Sequence, residues 1–267
     1  TTAEEARAMR RVHDTAQKGF AKSGALYDRS RPAYAPAALE HILSLVPRGG
    51  HVVDVGAGTG KFSKALATYG AHRITAVEPV AGMRETLRAT MGDGNSLTVV
   101  DGSAEQMPLD DNAADAIVCA QAFHWFATAE ALREFHRVLR PEGKLVLIWN
   151  TFDDSHAWLK ALEDLRSSLY DASVPRQQTQ QWRSVFPSPL FHDLHEWTGY
   201  YCQPASHDLV ADRIMSSSAV AAADQETQAA LRASVLAVLM ADPDTKDHVH
   251  DLEIPYETLI ASTEPRK

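Results

Sequence analysis

Residues 53–66 read VDVGAGTGKFSKAL. An apolar run passes into Gly56-Ala57-Gly58-Thr59-Gly60 and straight on into a helical pattern. Glycines therefore stand where the chain must turn sharply and bring its backbone close to a ligand. The helix that follows offers unpaired N–H groups and the positive end of its dipole. A glycine-rich turn by itself serves nucleotide-binding folds of several kinds, and spacing narrows the choice. The dinucleotide fingerprint is G-x-G-x-x-G, whereas the pattern here is G-x-G-x-G. This tighter loop suits a ligand with an amino-acid tail and no pyrophosphate. Glu78 ends the segment ITAVE, roughly 20 residues past the loop, where an acid can accept hydrogen bonds from both ribose hydroxyls. Taken alone, Glu78 is a solvated residue at a strand end. After this loop at this distance, ribose binding is favoured, and the two features together restrict the ligand to a nucleoside.

Two further segments carry polar chemistry at strand ends. Asp101 to Glu105 leaves one apolar run as a polar loop, and Gln121 to Phe126 leaves the next. In a doubly wound sheet, ligands bind outside the carboxyl ends of the strands. Ser103, Ala104 and Glu105 are thereby expected beside an adenine, and Phe123, His124 and Trp125 beside the reactive end of the ligand.

The elements that must position these residues follow from periodicity. Ala37–Val46 reads as an amphipathic helix, and the polar stretch 3–18 as another. HVVDV (51–55), RITAVE (73–78), SLTVV (96–100), AADAIVCAQ (113–121) and KLVLIWN (144–150) read as strands. Helices are expected over Gly60–Tyr69, Ala81–Met91 and Thr128–Leu139. Arg140-Pro141-Glu142-Gly143 stops the last of these. Near-continuous apolar strands alternating with helices predict a parallel sheet covered on both faces. Beyond 151 the texture changes. Trp158, Leu162, Leu165 and Leu169 predict a helix, residues 174–191 read as irregular, and 192–202 as a strand. Residues 207–216 and 225–240 read as helices, and 251–263 as a closing strand.

Composition sets the outer bounds. The chain has 267 residues, a net charge of −9, 45% hydrophobic and 23% charged residues, which is ordinary for a soluble globular protein. The acidic balance, with no concentrated basic patch, argues against a nucleic-acid partner. Cys119 and Cys202 have neither disulfide-framework nor zinc spacing, so a reducing cytoplasm is the expected setting. TTAEEARAMRRVHD lacks the apolar core of a signal peptide. No apolar run approaches the roughly 18 residues of a membrane span. Asp110-Asp111 and Asp153-Asp154 are read as turns or helix starts, and no metal is expected.

VDVGAGTG, AVEP, Gly102-Ser103-Ala104-Glu105 with Met107-Pro108, and LRPEGKLVL resemble the class I S-adenosylmethionine-dependent methyltransferases of the UbiE/Coq5-like methyltransferase 11 type. Tyr27, Arg31-Pro32-x-Tyr34 and AQAFHWF resemble the trans-aconitate methyltransferase-like subgroup. The resemblance implies an α/β fold: a doubly wound, mostly parallel seven-stranded Rossmann-like sheet, with a small cap from the N-terminal segment and insertions in the C-terminal half. The expected parts are an N-terminal cap segment (1–36), a cofactor-binding core (37–150), a substrate cap (151–250) and a closing strand (251–267). The resemblance also implies S-adenosylmethionine as cofactor, S-adenosylhomocysteine as product, and a set of binding residues. Gly56, Ala57, Gly58 and Gly60 would contact the methionine part, with Asp54 orienting the loop. Glu78 would hold the ribose, and Pro79 and Met83 would pack on the adenine. Gly102, Ser103, Ala104 and Glu105 would line the adenine edge; Ser103 stands where relatives often carry Asp. Gln121 and Ala122 would pass under the methionine part, and Tyr27 and Arg31 would close over the cofactor.

Methyl transfer from a sulfonium needs alignment and exclusion of water. For a hydroxyl or acidic-carbon acceptor, His124 is the candidate base; its alternative role is structural, packing at the strand end. A carboxylate acceptor would need no base, and Arg31, Arg176 or Arg183 would then hold it. Phe123, Trp125, Trp149 and Trp158 are the expected substrate wall. O- or C-methylation of a small molecule by a monomer or homodimer is the leading expectation, with no membrane association. The rivals are a non-methylating enzyme of the same fold, such as a cyclase, an NAD-dependent oxidoreductase, and a protein or RNA methyltransferase.

Overall fold

The computed structural model describes residues 32–69, 73–90, 97–170 and 174–267. The expected helix over 3–18, and Tyr27 and Arg31, lie outside the described residues. The chain begins its described part with α1 (Pro36–Ser44), which buries Ala38, Leu39 and Ile42 and has proline in its first turn, where a missing N–H costs nothing.

Five strands then alternate with three helices. They are β1 (His51–Val55), α2 (Lys61–Tyr69), β2 (Arg73–Val77), α3 (Ala81–Thr90), β3 (Leu97–Val100), β4 (Ala114–Ala120), α4 (Ala129–Val138) and β5 (Leu139–Phe152). Every residue of β1 is buried, as a central parallel strand covered on both faces requires. β1 pairs in parallel with β2 and β4, β2 with β3, and β4 with β5. The later elements are α5 (Ala157–Ser167), β6 (His195–Ala205), α6 (His207–Met215), α7 (Ser218–Ala222), α8 (Gln225–Ala241) and β7 (Leu252–Thr263). The seven strands lie in the order β3-β2-β1-β4-β5-β7-β6. This is the doubly wound, mostly parallel sheet expected from the sequence. The order reverses between β1 and β4, so the crevice of the sheet opens at their carboxyl ends.

Some local expectations shift. Tyr69, expected on the inner face of α2, is 43% exposed. Arg140–Gly143 belongs to β5 as an irregularity instead of a separate turn: Leu139 pairs with Ala114 and Lys144 with Ala116. Four residues there face one across the ladder, which is a bulge enlarged. β6 starts three residues later than expected and runs to Ala205. Its place at the sheet edge accommodates Pro204. The short α7 was not expected.

The chain forms two compact units. One comprises Ala33–Asn150, Pro175–Gly199 and Thr258–Lys267; the other takes in Thr151–Val174 and Tyr200–Glu257. The first has a core of Val53, Ile117, Phe135, Leu145 and Trp149 among others, and residues 175–199 add Trp182 and Phe191 to it. The second has its own core around Trp158, Leu162, Val210, Val235 and Tyr256.

Candidate functional site

The glycine turn leaves β1 at the point where the strand order reverses. Gly56, Gly58 and Gly60 all have positive φ, at 72°, 58° and 79°. The N–H groups of Gly56 and Ala57 both donate to the carbonyl of Val77, at 2.9 and 3.2 Å, tying the turn to the end of β2. Two of these glycines are needed for different reasons. A Cβ on Gly56 would sit 2.9 Å from the Cβ of Ala122, so close packing against the segment after β4 excludes a side chain. A Cβ on Gly58 would meet only the Met83 sulfur at 3.9 Å among the described residues. Gly58 is thus required by its left-handed backbone, and its surface is left for a ligand to approach.

Glu78 follows β2 and is buried. One carboxylate oxygen accepts from the Gly58 N–H and the other from the Val80 N–H, both at 2.9 Å. The acid therefore joins the glycine turn to the start of the next helix. Arg84 supports this corner. Its Nη1 donates to the Glu78 carbonyl at 2.7 Å and its Nη2 to Asp101 at 2.9 Å.

Asp54 lies fully buried in β1, two residues before the turn. Its Oδ2 accepts a 2.5 Å hydrogen bond from the Ser63 hydroxyl in α2, and its Oδ1 has no partner. Burial pushes its carboxyl up to about 7, with the Glu78 charge adding to the rise and the Ser63 bond opposing it. An orphaned buried acceptor beside a glycine turn fits a ligand that brings an ammonium group, directly or through water.

The rim after β3 is a built loop. Ser103 and Gln106 exchange backbone hydrogen bonds at 3.0 and 3.2 Å. Gly102 packs against Pro108, Ala104 is buried, and Glu105 is exposed. The loop is pinned from α4: Glu134 accepts from the Met107 N–H at 2.7 Å, and Arg137 donates to the carbonyls of Met107 and Leu109, to Asp111 and to Glu134. The Arg137 bond holds the Glu134 carboxyl below the usual carboxylate range. Pro79 is half-buried and Met83 is 9% exposed at the start of α3.

The rim after β4 turns at Gln121, a non-glycine residue with φ of 58°. Its N–H donates to the Ile148 carbonyl at 2.8 Å and its side-chain amide to the Asn150 carbonyl at 3.1 Å. Asn150 is itself buried and held by the Thr258 hydroxyl at 2.7 Å. Three of the expected wall residues lie in packed cores. Phe123 is fully buried in contact with the rings of Phe126, Phe135, Trp182 and Phe186. Trp149 is fully buried and packs on Trp182 with ring centroids 4.6 Å apart. Trp158 belongs to the core of the second unit. All three stabilise their units from inside. Trp125 is half-buried beside His124, with centroids 5.1 Å apart.

His124 is held by a hydrogen bond from the next strand. The indole N–H of Trp149 donates to His124 Nδ1 at 3.2 Å. Indole nitrogen only donates, so Nδ1 is the acceptor and the neutral ring carries its hydrogen on Nε2. Accepting a proton at Nδ1 would set two N–H groups against each other. In this arrangement the ring hydrogen sits on Nε2.

Sequence reasoning passed over Ser63, Arg84, the Glu134–Arg137 pair and Asn150. Only Asn150 carried a signal, as a polar residue ending the apolar run LVLIW. Among the described residues, no group of three His, Cys, Asp or Glu side chains converges as a metal site, and no helix is long and apolar enough to cross a membrane.

Comparison with known proteins agrees with this arrangement. The methyltransferase-domain family model matches residues 53–147, from the middle of β1 into β5. An uncharacterised methyltransferase of Mycobacterium tuberculosis (strain ATCC 25618 / H37Rv) is 38% identical over 194 residues, covering 73% of this chain and 76% of the relative. A methyltransferase-like protein of Schizosaccharomyces pombe is 33% identical over 200 residues, covering 74% and 75%. A solved protein called a type II methyltransferase, from Anaeromyxobacter dehalogenans, shares the fold with a TM-score of 0.67 at 22% identity, covering 88% of this chain and 97% of that one. With a methyltransferase relative at 38% identity over 73% of the chain, and a sheet of order 3-2-1-4-5-7-6 carrying the glycine turn, the chain belongs to the class I methyltransferase family.

Proposed function

We propose that the chain transfers a methyl group from S-adenosylmethionine to a small-molecule acceptor and releases S-adenosylhomocysteine. The observation that carries this reading is the bond from the Gly58 N–H to Glu78, beside the orphaned Oδ1 of Asp54. Those residues fit the cofactor's parts. Glu78 would accept from the ribose hydroxyls, and Asp54 would take the amino group. Pro79 and Met83 would pack on the adenine, whose edge Gly102, Ser103, Ala104 and Glu105 would line. Gly56, Ala57, Gly58, Gly60, Gln121 and Ala122 would lie along the methionine part, with Tyr27 and Arg31 closing over it.

When bound, the cofactor supplies an electrophilic methyl group on a sulfonium sulfur. The chain's own task is to align an acceptor in line with that bond and keep water away. His124 would donate from Nε2 to an oxygen of the acceptor, orienting it without removing a proton. An acceptor that is already nucleophilic suits such a site, which favours O-methylation or attack by a stabilised carbon. AQAFHWF supports the trans-aconitate methyltransferase-like subgroup as part of this proposal. The proposal also includes a cytoplasmic setting, a monomer or homodimer, and no metal.

Calorimetry with S-adenosylhomocysteine tests the reading. Binding is expected for the wild type, and Glu78→Ala should weaken it by at least roughly tenfold, because one charge-assisted hydrogen bond is worth about 1.5–3 kcal/mol. No affinity for either form of the cofactor would end the proposal.

A further inference from the structure

Arg213 lies in α6, within the second unit, with only 9% of its surface exposed. Its Nε has no hydrogen-bond partner, and no carboxylate pairs with it among the described residues. The other described arginines of this unit are paired. Arg166 meets Glu163 at 2.6 Å, and Arg232 meets Asp208 at 2.8 Å and Asp212 at 2.7 Å. A guanidinium cannot shed its proton to escape burial. An isolated buried charge is costly to the fold unless a partner arrives.

The surroundings describe that partner. The guanidinium carbon stands 5.9 Å from the centre of the Phe152 ring. Phe152 stacks on Tyr256 at 5.4 Å, and Tyr256 on Tyr201 at 5.3 Å. Tyr256 is 1% exposed and its hydroxyl has no partner, so a second buried donor stands unused in the same ring cluster. Burial pushes the Tyr201 hydroxyl far above its ordinary range, so it supplies no negative charge to Arg213. Phe152 and Tyr201 are half-buried, which brings one side of the cluster to the surface.

We propose that Arg213 is the anchor of an organic monocarboxylate whose apolar or aromatic body lies against the half-buried rings of Phe152 and Tyr201. The planar fork of a guanidinium matches a carboxylate with two parallel hydrogen bonds. A single cation among aromatic rings balances one negative charge. A phosphate dianion would leave charge uncompensated there. That this anion is the methyl acceptor rests on the proposed function; the anion site itself does not.

The test uses the full chain and three acids, phenylacetate, trans-cinnamate and hexanoate, each against its own amide, by calorimetry in the presence of S-adenosylhomocysteine. At least one acid should bind tenfold or more tightly than its amide. Arg213→Met keeps the length and packing of the stem. It should weaken acid binding by roughly 30-fold, the loss that follows when one partner of a buried charge pair is removed. It should leave amide and S-adenosylhomocysteine binding unchanged and raise the thermal midpoint of the unliganded protein, since a buried charge is gone. Equal affinity for acids and amides overturns the proposal, as does an acid preference that survives Arg213→Met. A lowered midpoint with every affinity lost marks a structural arginine and also overturns it. Glu78→Ala separates the two readings: it should weaken S-adenosylhomocysteine binding by roughly tenfold or more and leave the acid preference in place. Arginine-dependent acid binding with no cofactor affinity in the wild type leaves the anion site standing and removes the methyl transfer.

Discussion

At the scale of single residues, protonation states decide what the site can do. Asp54 has its folded value raised to about 7, above the ordinary 3.8, chiefly by burial. Between those two values the folded protein holds a proton that the unfolded chain has released. Stability therefore falls as pH rises from about 4 through 7, by at most roughly 4 kcal/mol across that range. Asp54→Asn should flatten that slope in urea denaturation at pH 5 and pH 8. The same ionisation should strengthen cofactor binding, because an ionised Asp54 receives an ammonium group better than a neutral one. Affinity for S-adenosylhomocysteine is expected to climb through pH 7 in the wild type and to stay level in Asp54→Asn; a level profile in both would remove Asp54 from the amino-group site. For His124, the Trp149 bond to Nδ1 sets the expectation. His124→Gln retains a donor and should keep a substantial part of the turnover, whereas His124→Phe should lose about ten- to a hundredfold, the worth of one orienting hydrogen bond. A larger loss in Gln, with a rate that follows one ionisation near neutrality, would restore the base.

At the scale of elements, the turn after β1 separates packing from ligand approach. Both Gly56 and Gly58 have positive φ, but only Gly56 also meets a close neighbour, the Cβ of Ala122. Gly58→Ala should cost about 1–2 kcal/mol of stability through backbone strain alone. Gly56→Ala should cost more, because overpacking adds about 1–3 kcal/mol. For cofactor affinity, Gly58→Ala should do the greater harm relative to its effect on stability. Denaturation midpoints and calorimetry on both variants measure the two orders. The loop after β3 depends on α4 in a similar way. Arg137→Ala removes five hydrogen bonds to the loop and to Glu134. With the arginine side chain one third exposed, a loss of about 1–2 kcal/mol is expected. Hydrogen exchange should speed up first at the Met107 and Leu109 amides; unchanged exchange there would mean the loop holds itself.

At the scale of the whole molecule, two cores stabilise the chain. Ile117 is fully buried in the first and Val235 in the second. Ile117→Ala should cost about 2–5 kcal/mol, and Val235→Ala somewhat less because fewer carbons are removed. Hydrogen exchange should show the first loss in β1 and β4, and the second in α6 and α8. Coincident loss of protection in all four elements from either variant would show that the units open together. The net charge of −9 predicts no retention of the protein on heparin at physiological salt.

What the sequence determined by itself is the set of features whose cause lies within a short stretch of chain. The alternation from β1 to β5 and the glycine turn depend on neighbours a few residues away, so period and residue type expose them. Glu78 was legible because the distance from the glycine turn is a property of one βαβ unit. Tertiary structure alone decided which side chains meet across the fold. Ser63 reaches Asp54, Arg137 reaches the loop after β3, Trp149 sets the hydrogen on His124, and Asn150 supports Gln121. It also turned Phe123, Trp149 and Trp158 inward, where composition had offered them as a wall, and it left Arg213 buried without a counter-charge. Partners tens of residues apart leave no period in the sequence, and burial of a ring or a charge follows from what packs over it, which only the folded chain specifies.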